Sequence, residues 1–499
     1  EIDADTWAEL LDKAADDEGP LGQCVLQKRV NGDPASSISM TPSGLWIESD
    51  APQVLGVFQI DGTFCGGGVR QSVAGSGVVN IVGEHASTHI ELDAPLTSDI
   101  EGIARPVSHW VHTSKSVATV GEDAARAVQA ARTAPGQIAT LMLPSDTAWN
   151  AGGVAAPAAP IPAPAPFDKD LLEDAAAALT GPDTLLLLGG KVLTEENLMI
   201  AGRIAAQTGC ALLSEWSNAR QERGAGRVFV NRVPYPIDVA LKVLEPFKRI
   251  VLVGARAPIG FFAYPDKPAI LMRDGADILT LAPAGSDLDA AMAALCDATG
   301  AAQTPPAHIT EPAQRERPTG PITLESLATI ISRAIPENGI IVDESVTSGR
   351  AFAPATKAAA PHTWLNNCGG SIGYAMPAAI GAAVACPDRK VMCLTGDGSA
   401  MYTNQALWTM ARENLDVTVL VFANRSYQIL RGELTNVGVQ NAGPRAMDML
   451  TLDRPTLDWV QMSRAMGVTA CRVSECEDLE AALEEGLSSG KANLIEIVL

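Results

Sequence analysis

The chain has 499 residues, a length that predicts about three domains rather than one. It is 47% hydrophobic and only 4% aromatic, with 44 glycines, the composition of a soluble α/β protein with ample core. A formal net charge of -22 excludes nucleic acid and anionic membrane as bulk partners, while leaving room for a local anion site built from backbone N–H groups.

The chain opens on the acidic run Glu1-Ile2-Asp3-Ala4-Asp5, unlike a secretory leader, and without Met, which leaves its natural beginning open. Up to residue 77 helix signals are sparse. Residues 45–47 and 54–60 read as short strands, and Gly66-Gly67-Gly68 as a turn. Ordinary α/β alternation begins at Val78, with a strand over 78–82, a helix over 122–133 and a strand over 137–143. An Ala/Pro run over 152–166 predicts an extended, semi-rigid linker.

The next block alternates strands at 184–188, 211–215, 249–254 and 277–281 with helical stretches, of which 195–208 is the clearest. Short continuous apolar runs separated by helices predict a parallel sheet covered on both faces. Gly189-Gly190 is a turn or the remnant of a dinucleotide loop, and the missing G-x-G-x-x-G favours the turn. A Pro-rich break at 301–321 precedes the last block, with strands at 339–342, 391–395 and 417–423 and helices at 373–385 and 403–413. Ligands in such sheets bind beyond the carboxyl ends of strands, which directs attention to the loops after Val342, Thr395 and Ala423. The expected domains are 1–151, atypical over 1–77, then 167–300 and 318–499. Nine singly placed cysteines without a C-x-x-C pair predict free thiols and a cytoplasmic setting. No apolar run reaches the ~18 residues needed to cross a bilayer.

Gly396-Asp397-Gly398-Ser399 follows one of the buried strands, and Asn424 stands 27 residues after Asp397 at the end of the next. The intervening helix brings the two strand ends side by side. A carboxylate oxygen from Asp397, an amide oxygen from Asn424 and a backbone carbonyl at Ser426 then make a hard-oxygen set suited to Mg²⁺, completed by phosphate oxygens and water. Gly396 and Gly398 let the backbone approach a diphosphate. The alternative is two unrelated turns at strand ends.

On these residues, the stretch 366–430 resembles the thiamine-diphosphate-dependent enzymes, in particular benzoylformate decarboxylases and acetolactate synthase large-subunit-like proteins. The Gly-Asp-Gly run closing on Asn424 is the cofactor motif of that family. Cys368-Gly369-Gly370-Ser371-Ile372-Gly373-Tyr374-Ala375-Met376-Pro377 fits the segment that precedes it. The resemblance implies thiamine diphosphate held with Mg²⁺, the metal on Asp397, Asn424 and the Ser426 carbonyl. It places Gly396, Gly398, Ser399 and Thr347 around the diphosphate, Ile372 beneath the bent cofactor, and Tyr427 at the start of the helix beside the thiazolium. It further implies three α/β domains, each with a mainly parallel sheet flanked by helices, and a homodimer or homotetramer. The implied activity is decarboxylation or carboligation of a 2-oxo acid, the work of a lyase or transferase. No signature for FAD is read. The likeness covers 78–150, the middle block more loosely, and 318–499, but not 1–77.

One implied residue has no counterpart of the right pattern: the glutamate that activates the cofactor from a strand end in the first domain. The nearest echo puts Gln59 in its place, and an amide does not titrate in the needed range. Glu48 is the strand-end Glu of this region and reads equally as a solvated turn. Residues 1–77 are then a divergent first domain, a sequence of separate origin joined near Gly77, or part of a cofactor-binding homologue without normal catalysis. That last reading is the alternative to an active enzyme. His85 and His89, spaced i, i+4, follow a strand end and reach a cleft or a metal, although no third ligand is evident. His109 and His112 flank Trp110 as structural residues, and His308 and His362 fall in or near loops. Residues near Phe261 and the segment 428–433 are expected to shape the substrate pocket.

Overall fold

The computed structural model describes residues 77–313 and 315–499, together with the backbone of four short strands, β1 (Ser37–Thr41), β2 (Gly44–Glu48), β3 (Gln59–Ile60) and β4 (Thr63–Phe64). The chain forms two compact units, the first including residues 76–132 and 137–161, the second 133–136 and 162–499.

In the first unit β5 (Val78–Glu84), β6 (Trp110–Thr113) and β7 (Ile138–Pro144) form a parallel sheet in the order β5-β7-β6. Helix Val120–Arg132 covers it through small residues, with Ala127 and Ala131 packed among Val79, Ala139 and Leu141. Asp123 is buried on that helix because it has partners: Ser114 Oγ donates at 2.7 Å and His112 Nε2 lies at 3.0 Å. His112 is thereby structural, as expected.

The second unit holds two sheets. Residues 184–282 supply six strands, β8 (Thr184–Leu188), β9 (Ala211–Ser214), β10 (Arg220–Arg223), β11 (Asn231–Arg232), β12 (Arg249–Val253) and β13 (Asp277–Ala282). Five of them form a parallel sheet in the order β11-β9-β8-β12-β13. Every residue of β8 is buried, since helices Glu195–Thr208 and Leu288–Ala298 pack on one face and Ile237–Leu244 on the other.

The remaining strand, β10, leaves this sheet and pairs antiparallel with β15 in the second one, Arg220 opposite Leu365 and Arg223 opposite His362. That sheet comprises β14 (Gly339–Glu344), β15 (His362–Asn366), β16 (Val391–Gly396), β17 (Val417–Ala423), β18 (Thr469–Val473) and β19 (Asn493–Val498), in the order β10-β15-β14-β16-β17-β19-β18. Apart from β10 its strands run parallel. Helices Ala375–Ala385 and Ala406–Arg412 cover one face, Leu324–Ala334 and Cys476–Ser488 the other. All seven residues of β17 are buried. The fold is α/β with mainly parallel sheets flanked by helices.

Both sheets of this unit reverse direction at their centres. The chain steps from β14 to β15 on one side and then to β16 on the other, so the crevice between β14 and β16 is a topological switch point. The same argument marks the crevice between β8 and β12. In the seven-stranded sheet Glu344 lies beside Thr395 and Gly396 beside Phe422, so β14, β16 and β17 end level with one another. No helix among the described residues is long and apolar enough to cross a membrane.

Candidate cofactor site

The ends of β16 and β17 are tied together by one carboxylate. Asp397 opens a short helical turn, Asp397–Ala400, where the sequence predicted only a loop. Its side chain is 3% exposed. Oδ1 accepts from Gly398 N at 2.9 Å and Oδ2 from Arg425 N at 2.7 Å, across the gap to the β17 turn. Burial pushes its pKa up to about 6, opposed by those two N–H groups and aided by Glu496. A buried carboxylate raised in this way is a fitting place for a cation.

Asn424 is next to it. Its Oδ1 accepts from Ser426 N at 3.0 Å, and Arg425 between them adopts a left-handed φ of 52°. That conformation is unfavourable for a residue with a β-carbon, and it marks the tight turn that the Asn424–Ser426 hydrogen bond closes. Ser426 spends its N–H on Asn424 and its Oγ on the Leu450 carbonyl at 3.2 Å, which leaves its own carbonyl free of the turn's hydrogen bonds. Carboxylate, amide oxygen and carbonyl are the hard donors that Mg²⁺ takes, and the set fits that ion. Among the described residues no cluster of three or more His, Cys, Asp or Glu is arranged to hold a metal.

The two glycines of the motif differ. A β-carbon on Gly396 would meet nothing nearer than Ser399 Oγ at 3.9 Å, so the backbone there faces open space. One on Gly398 would meet Tyr427 Cε1 at 2.7 Å. Gly398 is therefore required by the Tyr427 ring, which packs where a side chain would otherwise stand.

At the end of β14, Asp343 Oδ1 takes both the N–H and the hydroxyl of Ser345, and Ser348 N donates to the Ser345 carbonyl at 3.0 Å. This turn carries Thr347, half-buried. Among the described residues neither Thr347 Oγ1 nor Ser399 Oγ has a hydrogen-bond partner, so both hydroxyls are available to an anion in the switch-point crevice.

Sequence reasoning missed Glu344. Its buried carboxylate accepts from Gly373 N at 2.7 Å and Ala375 N at 3.0 Å, pinning the segment that carries Ile372 to the end of β14. Burial raises its pKa to about 7 against those N–H groups. Ile372, held by this brace, is 42% exposed rather than part of the core. Tyr427 caps helix Gln428–Asn436. Farther along that helix Glu433 accepts from Tyr264 Oη at 2.7 Å and Tyr235 Oη at 3.5 Å. Phe261 packs against Trp216 at 5.0 Å and Tyr235 at 5.9 Å, forming an aromatic wall next to these groups.

The other candidates are elsewhere. The side chains of Glu48 and Gln59 lie outside the described residues. His85, in the first unit, directs Nε2 to the Pro95 carbonyl at 3.0 Å, and its ring is 5.5 Å from that of His89. His362 is not a loop residue: it begins β15, fully buried, and burial with the nearby Arg223 charge lowers its pKa to about 3. Gly189 is extended and Gly190 opens the 3-10 helix Gly190–Leu193. A β-carbon on Gly189 would meet the Gly254 carbonyl at 2.6 Å and Glu215 Oε1 at 2.7 Å, so the crevice between β8 and β12 is shut.

Comparison with known proteins agrees with this geometry. Residues 323–497 match the thiamine pyrophosphate enzyme family, C-terminal TPP binding domain. The acetolactate synthase-like IlvX of Mycobacterium tuberculosis is 42% identical over 423 residues, covering 85% of this chain and 81% of that protein. The chain belongs to the thiamine-diphosphate-dependent enzyme family. A more distant relative, the benzoylformate decarboxylase of Pseudomonas aeruginosa, is 25% identical over 487 residues, 91% of this chain and 88% of that one. The fold matches the thiamine diphosphate-dependent 4-hydroxybenzoylformate decarboxylase of Rhodococcus jostii RHA1 with a TM-score of 0.70 and 21% identity, over 84% of this chain and 82% of that structure. The family match begins at Thr323, and so takes in the turns after β14, β16 and β17 together.

Proposed function

We propose that this protein is a thiamine-diphosphate- and Mg²⁺-dependent enzyme that decarboxylates or ligates 2-oxo acids. The observation that carries the reading is the convergence of three turns on the β14–β16 switch point. One brings the unpartnered Thr347 hydroxyl, the second the buried Asp397 and free Ser399, the third Asn424 and the Ser426 carbonyl. Bound there, thiamine diphosphate supplies a centre that stabilises the carbanion formed when a 2-oxo acid loses CO₂.

The chain's own residues do the positioning. Asp397, Asn424 and the Ser426 carbonyl hold the metal, while Thr347 and Ser399 bind phosphate oxygens. Glu344 fixes the backbone of residues 373–375 and leaves Ile372 beside them exposed, where it would support the bound cofactor. Helix Gln428–Asn436 and the Phe261 wall would shape the substrate side. The names of the relatives, acetolactate synthase-like and benzoylformate decarboxylase, support a 2-oxo acid substrate. The test is calorimetric titration with thiamine diphosphate, with and without Mg²⁺, alongside CO₂ release from pyruvate and benzoylformate. Mg²⁺-dependent binding with CO₂ release is expected. Binding without turnover on any 2-oxo acid removes the catalytic part of the proposal, and no binding removes all of it.

A further inference from the structure

We propose a second ligand site in this protein, for a small oxyanion (a carboxylate or a phosphate), in the cavity between β10, β11 and the ends of β14 and β15. The cavity measures about 40 Å³, room for roughly three waters or one such head group. Arg223, Arg232 and Arg350 are among its lining residues.

Arg223 is 5% exposed. Its Nη2 donates to the Ala353 carbonyl at 2.6 Å and to Thr356 Oγ1 at 3.0 Å, but no described group accepts from its Nε or Nη1. The Trp364 ring lies 4.8 Å and the Phe229 ring 5.6 Å from the guanidinium carbon, fixing its plane. Burial, with the Arg232 charge adding, lowers its pKa to about 10, so it stays charged at neutral pH. Arg232 makes one long contact, to Asn366 Oδ1 at 3.4 Å. Among the described residues none of the three arginines has a carboxylate partner within 4.0 Å.

One carboxylate lines the cavity, and its oxygens are taken. Asp343 Oδ1 is held by Ser345 and Oδ2 by Trp364 Nε1 at 3.3 Å. Three positive groups thus face one engaged negative group, in a chain of net charge -22 where acids to pair them are abundant. The Asp343 charge offsets part of the cost of burying Arg223, and an anion bonded to the unpartnered Arg223 Nε and Nη1 would offset more of it. The planar fork of a guanidinium matches two oxygens of a carboxylate or phosphate, which selects oxyanions over halides.

The experiment titrates the full chain, without cofactor and at constant ionic strength, with sodium acetate, sodium phosphate and sodium chloride. Three proteins are compared: wild type, Arg232→Gln/Arg350→Gln, whose altered residues are exposed, and Thr347→Ala/Ser399→Ala in the β14–β16 crevice. Acetate or phosphate is expected to saturate a site that is weakened at least about tenfold in the arginine variant and kept in the other, where phosphate loses only what it binds in the cofactor crevice. Acetate alone assigns a carboxylate ligand, and phosphate alone a phosphate. The site is overturned if neither oxyanion saturates, if chloride binds as tightly, or if binding is lost with Thr347 and Ser399 rather than with the arginines.

Discussion

The two sheets of the second unit differ in strand order but each has a switch point, and they differ in what their strand ends do with it. In the five-stranded sheet the backbones after β8 and β12 press together, a Gly189 β-carbon would lie 2.6 Å from the Gly254 carbonyl, and the Glu215 carboxylate fills the space beside them. Burial raises Glu215 to about 7, against the N–H groups of Arg256 and Gly190. In the seven-stranded sheet the corresponding crevice has Thr347, Ser399 and Asn424 along it and open space at Gly396. A switch point is therefore an opportunity that topology creates and side chains accept or decline. Here one sheet has closed its crevice with its own backbone, while the other keeps hard oxygens and free hydroxyls at the rim.

The comparison breaks most visibly at Asp397. Asp397→Ala should lower Mg²⁺-dependent thiamine diphosphate affinity about 100-fold, on the order of 3 kcal/mol, the scale of removing one partner of a buried charge pair. Calorimetry reads this directly, and unchanged affinity means that the metal is held elsewhere. The glycines sharpen the contrast. Gly189→Ala forces a β-carbon into backbone, so its urea midpoint should drop by the equivalent of about 1–3 kcal/mol with cofactor affinity intact. Gly396→Ala, at φ -79° with no atom closer than 3.9 Å, should change stability by less than about 0.5 kcal/mol while weakening cofactor binding. The reverse pattern would exchange the roles of the two crevices.

Glu344 gives a pH signature. Its carboxyl titrates near 7 in the fold against an ordinary value of 4.5, so the folded chain holds the extra proton between those limits. The associated stability is complete below about pH 4.5 and is lost as pH rises through about 7. Urea midpoints followed from pH 4.5 to 8 should fall less steeply in Glu344→Gln than in wild type, by about 1–3 kcal/mol across the window. Parallel profiles would show that Glu344 ionises freely. Tyr264→Phe removes one hydrogen bond to Glu433 and should cost about 1 kcal/mol, read from the same midpoints.

Much of this was legible in advance, for physical reasons that also explain the rest. Strands β8 and β17 and helix Glu195–Thr208 have the bounds read from their apolar patterns, because a strand buried on both faces must be a continuous apolar run. Strand β10 was invisible. Arg220-Gln221-Glu222-Arg223 has no apolar residue, and it becomes a strand only by pairing with β15 from the next block. The motif from Gly396 to Asn424 could be seen because its ligands follow adjacent strands in order. Glu344 could not, since its partners Gly373 and Ala375 are 29 and 31 residues away and the brace exists only once β14 and helix Ala375–Ala385 are folded together. The arginine cavity was hidden likewise, with Arg223 and Arg350 drawn from blocks that a Pro-rich break separates in sequence.

Where thiamine diphosphate binds decides which of the two crevices is the cofactor site. A crystal structure of the protein grown with thiamine diphosphate and Mg²⁺ measures that position directly. The predicted result is a metal bonded to Asp397, Asn424 and the Ser426 carbonyl, with the diphosphate against Thr347 and Ser399 in the β14–β16 crevice. A cofactor in the β8–β12 crevice, or a metal without bonds to Asp397, would contradict it.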